Sequence, residues 1–413
     1  MKRTVLAIKI AALFASCAMG GEEGVDWPQW RGPTRNGQFH GKAWPDSLGR
    51  LKRKWRVEIG PGYSGAIVSA TSVFTVETEA KKKEVVRAFD RDSGKQIWSA
   101  NWAGSMKVPW YARSNGSWTR STPAFDGERL YVGGMLDVLV CLDAETGKEI
   151  WRVDLAKRHG RPIPQFGFVC SPLIDGEHLY VQAADGLLKI DRRDGRTLWR
   201  VFDEVEKDKS FSAFSSPVLG ELNGRSQIVA QSRETLAGFD PVSGGLLWEI
   251  PVKSSHGQNI LTPTLHSGGV FTSSYGGRSQ LLAVMKPGDE FDVVKRWDNK
   301  LQAYMSSPVI IDGHAYLHLR NERFSCMNLK NGDIAWITRE KFTDYASLVA
   351  SGNRILMLDS EGTLHLIAAN PKEFRRIGQR QVADAETWAH LAVVEGGLFV
   401  RELNAIAAFK WRD

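Results

Sequence analysis

A short pattern that ends in tryptophan recurs along this chain of 413 residues and constrains its fold more than any other feature. The clearest copy is Cys141-Leu-Asp-Ala-Glu-Thr-Gly-Lys-Glu-Ile-Trp151, which predicts two strands joined by a tight turn. Further copies end at Trp98, Trp199, Trp248, Trp297 and Trp336, and a strand-like segment with no copy before it contains Trp55. These tryptophans are separated by 39 to 53 residues. A period of this length predicts an array of similar units rather than separate domains.

Each interval between tryptophans has room for four short strands. Most units open with Ser-Pro or Thr-Pro, as in Ser306-Ser-Pro308, and continue through a turn such as Asp312-Gly313. Asx-Gly between apolar runs favours a hairpin because glycine accepts a positive φ angle. The apolar residues show no helical periodicity over any useful length. The sequence therefore predicts an all-β protein and excludes βαβ folds.

The two ends of the array predict a closed ring. The last unit, residues 391–410, supplies only three strands, and the segment 52–59 supplies the missing fourth. Counting the units gives an eight-bladed β-propeller of four-stranded antiparallel blades, closed by its N-terminal strand, over residues 51–413. Closure leaves no long exposed sheet edge. Residues 21–50, with Trp27, Trp30 and several prolines and glycines, are predicted to be an irregular leader that packs on the propeller.

Residues 1–20 have the features of a signal peptide: basic residues, a short apolar run and small residues after it. Phe14-Ala-Ser-Cys17 is an imperfect lipidation motif, so both simple cleavage and a lipid on Cys17 stay open. The expected location is periplasmic or secreted, with or without a lipid anchor. Cys141, Cys170 and Cys326 fall in predicted strands and are interpreted as small buried side chains rather than a disulfide framework.

Function is expected on one face of the ring. Turns between the first and second and between the third and fourth strands of each blade share one face, while the remaining turns and the long interblade connections share the other. Long connections on a rigid ring commonly carry binding residues. Those here are rich in aromatic and basic side chains, which suit a planar anionic ligand or an extended peptide. The candidate binding residues are Trp110, Tyr111, Arg113, Trp118, Arg120, Phe166, Phe168, Phe214, His256, Tyr304, Tyr345 and Trp388.

The recurring turn and its tryptophan resemble the repeat of pyrroloquinoline-quinone-like (PQQ-like) β-propellers over residues 51–413. Cys141–Trp151 is the closest copy of that repeat, and the leader Trp27-Pro-Gln-Trp-Arg-Gly-Pro33 resembles the leader of secreted bacterial members. The resemblance implies that the tryptophan of each repeat docks between blades. It assigns this structural role to Trp55, Trp98, Trp151, Trp199, Trp248 and Trp336.

Three functions are open to such a chain because a fold does not determine a function. The first is a secreted, non-catalytic scaffold that binds a protein or an extracytoplasmic polymer through its loop-rich face. The second is a lipoprotein of outer-membrane protein assembly of the BamB type. The third is a quinone-dependent dehydrogenase, for which the resemblance implies PQQ, a calcium or lanthanide ion and a pair of adjacent cysteines.

The residues favour the first of these functions. The chain has no Cys-Cys pair, and neither a catalytic residue nor a metal site is assigned from the sequence. We expect no cofactor and a monomeric protein. The net charge of +7 is spread along the chain, so a nucleic-acid partner is not indicated.

Overall fold

A computed structural model describes residues 25–202, 213–288 and 290–412, which form 33 strands in eight sheets. Each of the eight blades contains four antiparallel strands, as predicted; the strands follow chain order except in blade 8, and blade 1 carries one additional strand from the leader. Residues 1–24 lie outside the described part of the chain, and with them the predicted signal peptide and Cys17. Among the described residues, no helix has the length and apolar composition that a membrane span requires.

The leader and the first four blades contain the strands β1 to β18 and one α-helix. The bounds are: β1 Val25–Trp27; β2 Leu51–Glu58; blade 1, β3 Ile67–Ser69, β4 Ser72–Glu79, β5 Lys83–Asp90 and β6 Gln96–Ala103; blade 2, β7 Ala124–Phe125, β8 Arg129–Gly134, β9 Val138–Asp143 and β10 Glu149–Asp154, followed by α1 Leu155–His159; blade 3, β11 Leu173–Asp175, β12 His178–Ala183, β13 Gly186–Asp191 and β14 Thr197–Val201; blade 4, β15 Val218–Leu222, β16 Arg225–Gln231, β17 Thr235–Phe239 and β18 Leu246–Pro251.

The remaining blades contain β19 to β33, and three short 3-10 helices lie outside the sheets. The bounds are: blade 5, β19 Thr264–His266, β20 Gly269–Ser273, β21 Ser279–Met285 and β22 Asp292–Asn299; blade 6, β23 Val309–Ile311, β24 His314–His318, β25 Phe324–Asn328 and β26 Ile334–Ile337; blade 7, β27 Ala346–Ser351, β28 Arg354–Asp359, β29 Thr363–Ala368 and β30 Arg375–Gln381; blade 8, β31 Ala392–Val394, β32 Gly397–Glu402 and β33 Ala405–Trp411; and the 3-10 helices Leu48–Arg50, Trp110–Asn115 and Ser255–Gly257.

The predicted closure of the ring is confirmed. Strand β2 pairs antiparallel with β33, with Leu51 opposite Trp411 and Glu58 opposite Ala405, and so becomes the outer strand of blade 8. The N-terminal and C-terminal parts of the chain therefore share one sheet. Because opening this sheet would break the whole β2–β33 ladder, the closure couples the two ends of the propeller.

Apolar side chains fill the spaces between neighbouring blades. Between blades 2 and 3, for example, Tyr131 and Cys141 pack in one cluster with Leu179 and Ile190. Strands two and three of most blades are buried on both faces, whereas the outer strands alternate between partly buried and exposed residues. Cys141, Cys170 and Cys326 are buried, reduced side chains of this core. The blades thus share their cores with their neighbours, as the repeat architecture requires.

A tryptophan on the outer strand of most blades is hydrogen-bonded to the next blade. The indole Nε1 of Trp151 donates to the backbone oxygen of Arg192, 3.0 Å away in the β13–β14 turn of blade 3. Five seams repeat this bond at 2.8–3.2 Å; the pairs are Trp55–Arg91, Trp98–Ala144, Trp199–Val242, Trp297–Leu329 and Trp336–Asn370. The acceptor always lies in the turn between the third and fourth strands. The recurring turn therefore accepts the hydrogen bond from the tryptophan of the preceding blade.

Trp248 departs from this arrangement. It is buried among apolar residues of blades 4 and 5, but its Nε1 donates to Oε1 of Gln227 in its own blade, at 2.7 Å. The turn that follows in blade 5 contains Met285-Lys286-Pro287-Gly288 and lacks the recurring motif. An added Cβ at Gly288 would meet no neighbouring atom within 4 Å, so this glycine does not lie against the tryptophan ring.

The hydroxyl groups of the Ser-Pro and Thr-Pro motifs link the innermost strands. Ser171 Oγ accepts a hydrogen bond from the backbone nitrogen of Thr122, and the nitrogen of Ser171 donates to Ser216 Oγ. The same link, at 3.0–3.2 Å, joins Gly65 to Thr122, Ser216 to Thr262 and Thr262 to Ser307. In the bonds above, the donor nitrogen lies in the earlier blade and the hydroxyl group in the later one. The direction is reversed for blades 7 and 8, where the nitrogen of Ala346 donates to Ser306 Oγ and that of Leu391 donates to Ser347 Oγ. These bonds satisfy buried backbone donors that would otherwise be costly.

The leader crosses the centre of the ring and joins blades that are far apart in sequence. Arg31 donates to the backbone oxygen of Pro308 in blade 6. Arg35 donates to the backbone oxygens of Pro172 and Ser171 in blade 3, at 2.7 and 3.0 Å. Both guanidinium groups are buried, and burial lowers the pKa of Arg31 to about 9 and that of Arg35 to about 10. Both side chains stay charged at neutral pH and hold the inner strands of blades 3 and 6 to one segment.

Further contacts of the leader involve blades 1, 7 and 8. Within the segment predicted to be irregular, Val25–Trp27 forms strand β1 and pairs with β3, because no proline or glycine falls within these three residues. The Trp27 ring stacks on His390, with centroids 6.4 Å apart. The backbone nitrogen of Phe39 donates to the backbone oxygen of Ala350 in the inner strand of blade 7, and the nitrogen of Ala350 donates to the oxygen of Gly37. The leader is therefore part of the folded ring.

Substituting the turn glycine beneath a tryptophan tests the seam. Gly195 has φ near 72°, and an added Cβ would lie 2.7 Å from the Trp151 ring; Gly176, in another turn of blade 3, has φ near 52° and no such neighbour. We expect Gly195→Ala and Gly176→Ala each to lose about 1 kcal/mol from the positive φ. Gly195→Ala should lose a further 1–3 kcal/mol, roughly, from overpacking. Urea unfolding midpoints measure the difference, and equal midpoints would contradict the seam contact.

Candidate functional site

Aromatic and basic side chains follow one another around the loop-rich face, which carries the interblade connections and the turns between second and third strands. We call this set the collar: Tyr345, Trp388, Tyr63, Arg120, Phe166, Phe214, Arg233, Tyr304, Tyr275 and Arg320. Six of the predicted binding residues belong to it. The tight turns of the opposite face instead include those that accept the hydrogen bonds from the tryptophans between blades. The structure thus separates a face of tight structural turns from a face rich in aromatic and basic side chains.

One half of the collar is a continuous run of ring contacts across blades 7, 8, 1 and 2. Tyr345 stacks on Trp388 with ring centroids 5.7 Å apart and planes inclined by 14°. Trp388 contacts Tyr63 at 6.0 Å. The guanidinium carbon of Arg120 lies 5.7 Å from the Tyr63 ring and 6.0 Å from the ring of Phe166. Each member is therefore held by the next, which limits the rotamer freedom of the surface.

Arg120 is fixed by hydrogen bonds within its own connection. Its Nη1 and Nη2 donate to the backbone oxygens of Trp118 and Gly116 at 2.8 and 2.9 Å. Burial lowers the pKa of Arg120 to about 10, and the neighbouring Tyr63 opposes that shift. Burial likewise raises the pKa of Tyr63 to about 12. At neutral pH this half of the collar therefore presents one fixed positive charge among neutral aromatic rings.

The other half of the collar lies on blades 3 to 6. Phe166 meets Phe214 edge to face at 5.5 Å, and the guanidinium carbon of Arg233 lies 5.3 Å from the Phe214 ring. Arg233 also donates to the backbone oxygen of His256, an exposed residue with φ near 57°. Tyr304 donates from its hydroxyl to Oε1 of Gln258 at 3.2 Å, which links the connection after blade 4 to the one after blade 5.

Trp110 and Tyr111 are the most exposed of the predicted aromatic residues. They form an edge-to-face pair on the 3-10 helix Trp110–Asn115, in the connection between blades 1 and 2, with 77% and 59% of their surfaces exposed. Arg113 is exposed on the same helix. Exposed aromatic side chains of this size are a common feature of protein-binding surfaces.

Two predicted residues are less accessible than the sequence analysis expected. Phe168 is not a surface residue: it is buried in the core between blades 2 and 3, where an added Cβ on Gly133 would lie 2.4 Å from its ring. It lies in the interblade connection just before β11, where its side chain packs into the core between the two blades. Trp118 is half-buried and packs against Gly116 of its own connection.

Four residues of the collar were not predicted: Tyr63, Arg233, Tyr275 and Arg320. Tyr63 lies in the first interblade connection, between β2 and β3. The other three lie in turns between the second and third strands. Because those turns share the face of the interblade connections, the strand order alone could have indicated them.

The described residues do not fit the quinone and metal site that the resemblance implies. No group of three or more His, Cys, Asp or Glu in the described part of the chain could hold a metal ion. Cys141 and Cys326 lie on strands β9 and β25, whereas Cys170, predicted to lie in a strand, falls in the connection just before β11; none has a neighbouring cysteine in the sequence. The centre of the ring is crossed by the buried leader residues Arg31 and Arg35. We therefore assign no catalytic step to this site.

Asp137 joins two turns of the loop-rich face. This buried residue lies in the β8–β9 turn with φ near 60°, and its Oδ2 accepts a hydrogen bond from the backbone nitrogen of Ala184 in blade 3, at 2.8 Å. Oδ1 has no partner. Burial raises the pKa of Asp137 to about 7, and the carboxylates of Asp185 and Asp154 add to the rise.

Comparison with known proteins identifies the family. The family profile described as outer membrane protein assembly factor BamB matches residues 82–338. The chain belongs to this family. The BamB protein of Yersinia pestis is 22% identical, over 97% of this chain and 91% of that protein. BamB of Escherichia coli K12 is 22% identical, over 68% of this chain and 75% of its own length.

Solved structures share the propeller fold of this BamB family member. BamB from Moraxella catarrhalis superposes with a TM-score of 0.63 at 16% identity, covering 87% of this chain and 99% of that one. A europium-containing methanol dehydrogenase superposes with a TM-score of 0.55 at 10% identity, covering 94% and 98%. The prediction of a PQQ-like, BamB-like propeller is confirmed. Because both likenesses are at low identity, they establish the fold alone.

Replacing Asp137 with asparagine tests the buried carboxyl group. A folded-state pKa raised above the unfolded value makes wild-type stability fall as pH rises from about 4 to about 7, because ionisation is easier in the unfolded chain. Asparagine keeps the acceptor for Ala184 and tolerates positive φ. We expect Asp137→Asn to be more stable than the wild type at pH 8, with a free energy of unfolding higher by on the order of 1 kcal/mol or more. This difference should shrink at pH 4.5. Thermal melting of both proteins at the two pH values measures it.

Asp143→Asn is the matched control. Asp143 is partly exposed, and hydrogen bonds from Thr146 lower its pKa, so its contribution to stability is present above the unfolded pKa and is lost as pH falls. The control should therefore be destabilised relative to the wild type at pH 8, and this deficit should shrink at low pH. An Asp137→Asn variant with the same pH profile as the control would contradict the raised pKa.

Proposed function

We propose that the protein is a non-catalytic, extracytoplasmic scaffold of outer-membrane protein assembly that binds protein partners through its loop-rich face. The observation that carries the proposal is the family match over residues 82–338, because the matching family is described as an outer membrane protein assembly factor. The curated relatives that cover most of the chain are named as BamB proteins of that assembly process.

The chemistry of the loop-rich face supports a protein partner. Its collar combines aromatic rings with the guanidinium groups of Arg120, Arg233 and Arg320. Aromatic residues and arginine are enriched at protein–protein interfaces, where they supply a large contact area and directed hydrogen bonds. The collar is rigid because its members contact one another, so binding would cost little side-chain entropy.

The exposed pair Trp110 and Tyr111 is the strongest candidate for an anchor in this interface. Both rings stand on a connection that is attached at each end to a blade of the ring, and their exposure leaves room for a partner's apolar side chains. A signal peptide on residues 1–20, with or without a lipid on Cys17, would deliver the protein to the periplasmic side of the outer membrane.

Site-specific photo-cross-linking in the native bacterium tests this proposal. A photoreactive phenylalanine analogue replaces Tyr111 on the loop-rich face or, as a control, Leu246 on an outer strand remote from it. We expect discrete cross-links to outer-membrane assembly proteins from position 111 and none from position 246. Cross-links only from position 246, or an unaltered outer-membrane protein profile in a strain lacking the gene, would contradict the proposal.

Truncating the anchor separates binding from folding. The double variant Trp110→Ala, Tyr111→Ala removes exposed rings, so we expect its melting temperature to stay within about 1 °C of the wild type, since exposed substitutions cost little stability. Recovery of the cross-linked partner by affinity purification of the wild-type and variant proteins should fall at least about fivefold, in line with the loss of an interface anchor. An unchanged recovery would exclude these residues from the interface.

A further inference from the structure

A pocket of about 470 Å³ opens on the loop-rich face between blades 5 and 6. Its walls come from two short segments, one after β22 and one after β24. Its lining residues are Lys300, Leu301, Gln302, Leu319, Arg320 and Asn321. The backbone nitrogen of Arg320 donates to the backbone oxygen of Gln302 at 2.8 Å, so the two segments are joined. The pocket has a volume in the range of ligand and peptide sites.

The pocket has an apolar floor and a basic rim. Leu301 and Leu319 are buried beneath it and belong to the core between blades 5 and 6. Lys300 and Arg320 are exposed at the rim. No acidic residue lines the pocket. An occupant that complements these walls therefore has an apolar part and a negative charge.

Arg320 is held in position before any ligand arrives. Its guanidinium carbon lies 4.2 Å from the centroid of the Tyr275 ring, and Nη2 donates to the Tyr275 hydroxyl at 3.3 Å. Tyr275 in turn packs on Tyr304, with ring centroids 5.0 Å apart. A stacked guanidinium group has lost much of its side-chain freedom and presents its donors in a fixed plane, which suits a carboxylate.

The neighbouring acids are already paired with other cations. Glu322 binds Lys341 at 2.8 Å, and Asp298 binds Arg278 at 2.7 Å and also Lys295. Within the described residues, neither Lys300 nor Arg320 has a carboxylate within 4.0 Å. The rim thus carries two positive charges that the fold itself does not neutralise.

We propose that this pocket binds an acidic side chain of an extended partner polypeptide, with the adjacent apolar residue of the partner on the leucine floor. The positive rim selects the carboxylate, Arg320 orients it and Lys300 adds a mobile charge. The inference rests on the proposed function, because it assigns one subsite of the loop-rich face to a chemical class of partner. It needs no cofactor and no covalent step.

Peptide titration of the full mature chain tests the pocket. The probe is acetyl-Leu-Asp-Leu-Glu-amide, and the uncharged comparison is acetyl-Leu-Asn-Leu-Gln-amide. Nuclear magnetic resonance of methyl-labelled leucine follows Leu301 and Leu319 directly. We expect saturable shifts of these two methyl signals with the acidic peptide and none with the amide peptide. No shift with the acidic peptide, or equal shifts with both, would overturn the proposal.

Two pairs of variants locate the charge that matters. Lys300→Gln with Arg320→Gln removes the rim, and we expect peptide affinity to fall at least about tenfold, as for the loss of a charge-assisted hydrogen bond. Lys330→Gln with Lys372→Gln removes two exposed charges from the opposite face and should leave the affinity unchanged. Equal losses in both pairs would show non-specific attraction and would overturn the pocket.

This experiment is independent of the cross-linking test. Peptide binding at the leucine floor can fail while position 111 still cross-links to the assembly proteins, and then only the pocket assignment is wrong. If both fail, the proposed function is wrong as well. Melting temperatures of the rim variants, which we expect to match the wild type because both side chains are exposed, separate loss of binding from loss of fold.

Discussion

The hydrogen bond between a tryptophan on one blade and a backbone oxygen in the next blade's turn is the contact on which the ring depends. It occurs at six seams with one donor and one type of acceptor, and at five of them a turn glycine leaves room for the indole ring. Each blade alone would expose a large apolar face. The seam therefore sets the angle between neighbouring blades, and the apolar clusters between them fill the space that this angle leaves.

The centre of the ring is held by different means. Hydroxyl groups of the Ser-Pro and Thr-Pro motifs bridge neighbouring inner strands, and the leader ties blades 3 and 6 together through Arg35 and Arg31. Buried guanidinium groups are costly unless they are hydrogen-bonded, and these donate to backbone oxygens. The centre is consequently filled by this chain's own side chains.

The two faces of the ring differ because the strand order places different loops on each of them. An even number of antiparallel strands returns every interblade connection to one side, so aromatic and basic residues far apart in sequence meet in the collar. The pocket between blades 5 and 6 belongs to this arrangement, since Tyr275, Tyr304 and Arg320 come from three separate connections. A partner that spans several blades would contact these residues together.

The sequence by itself determined the architecture. Eight units, the closure by segment 52–59 and the loop-rich face follow from a repeat whose turn glycines and tryptophans are local signals. The tertiary structure alone decided which side chains on that face can meet a partner: it buried Phe168, exposed Trp110 and brought Tyr275 against Arg320. The residue preferences of a turn act over a few neighbouring residues, so the turns can be predicted from the sequence. Exposure and stacking depend on contacts between residues distant in sequence, and these form only when the ring closes.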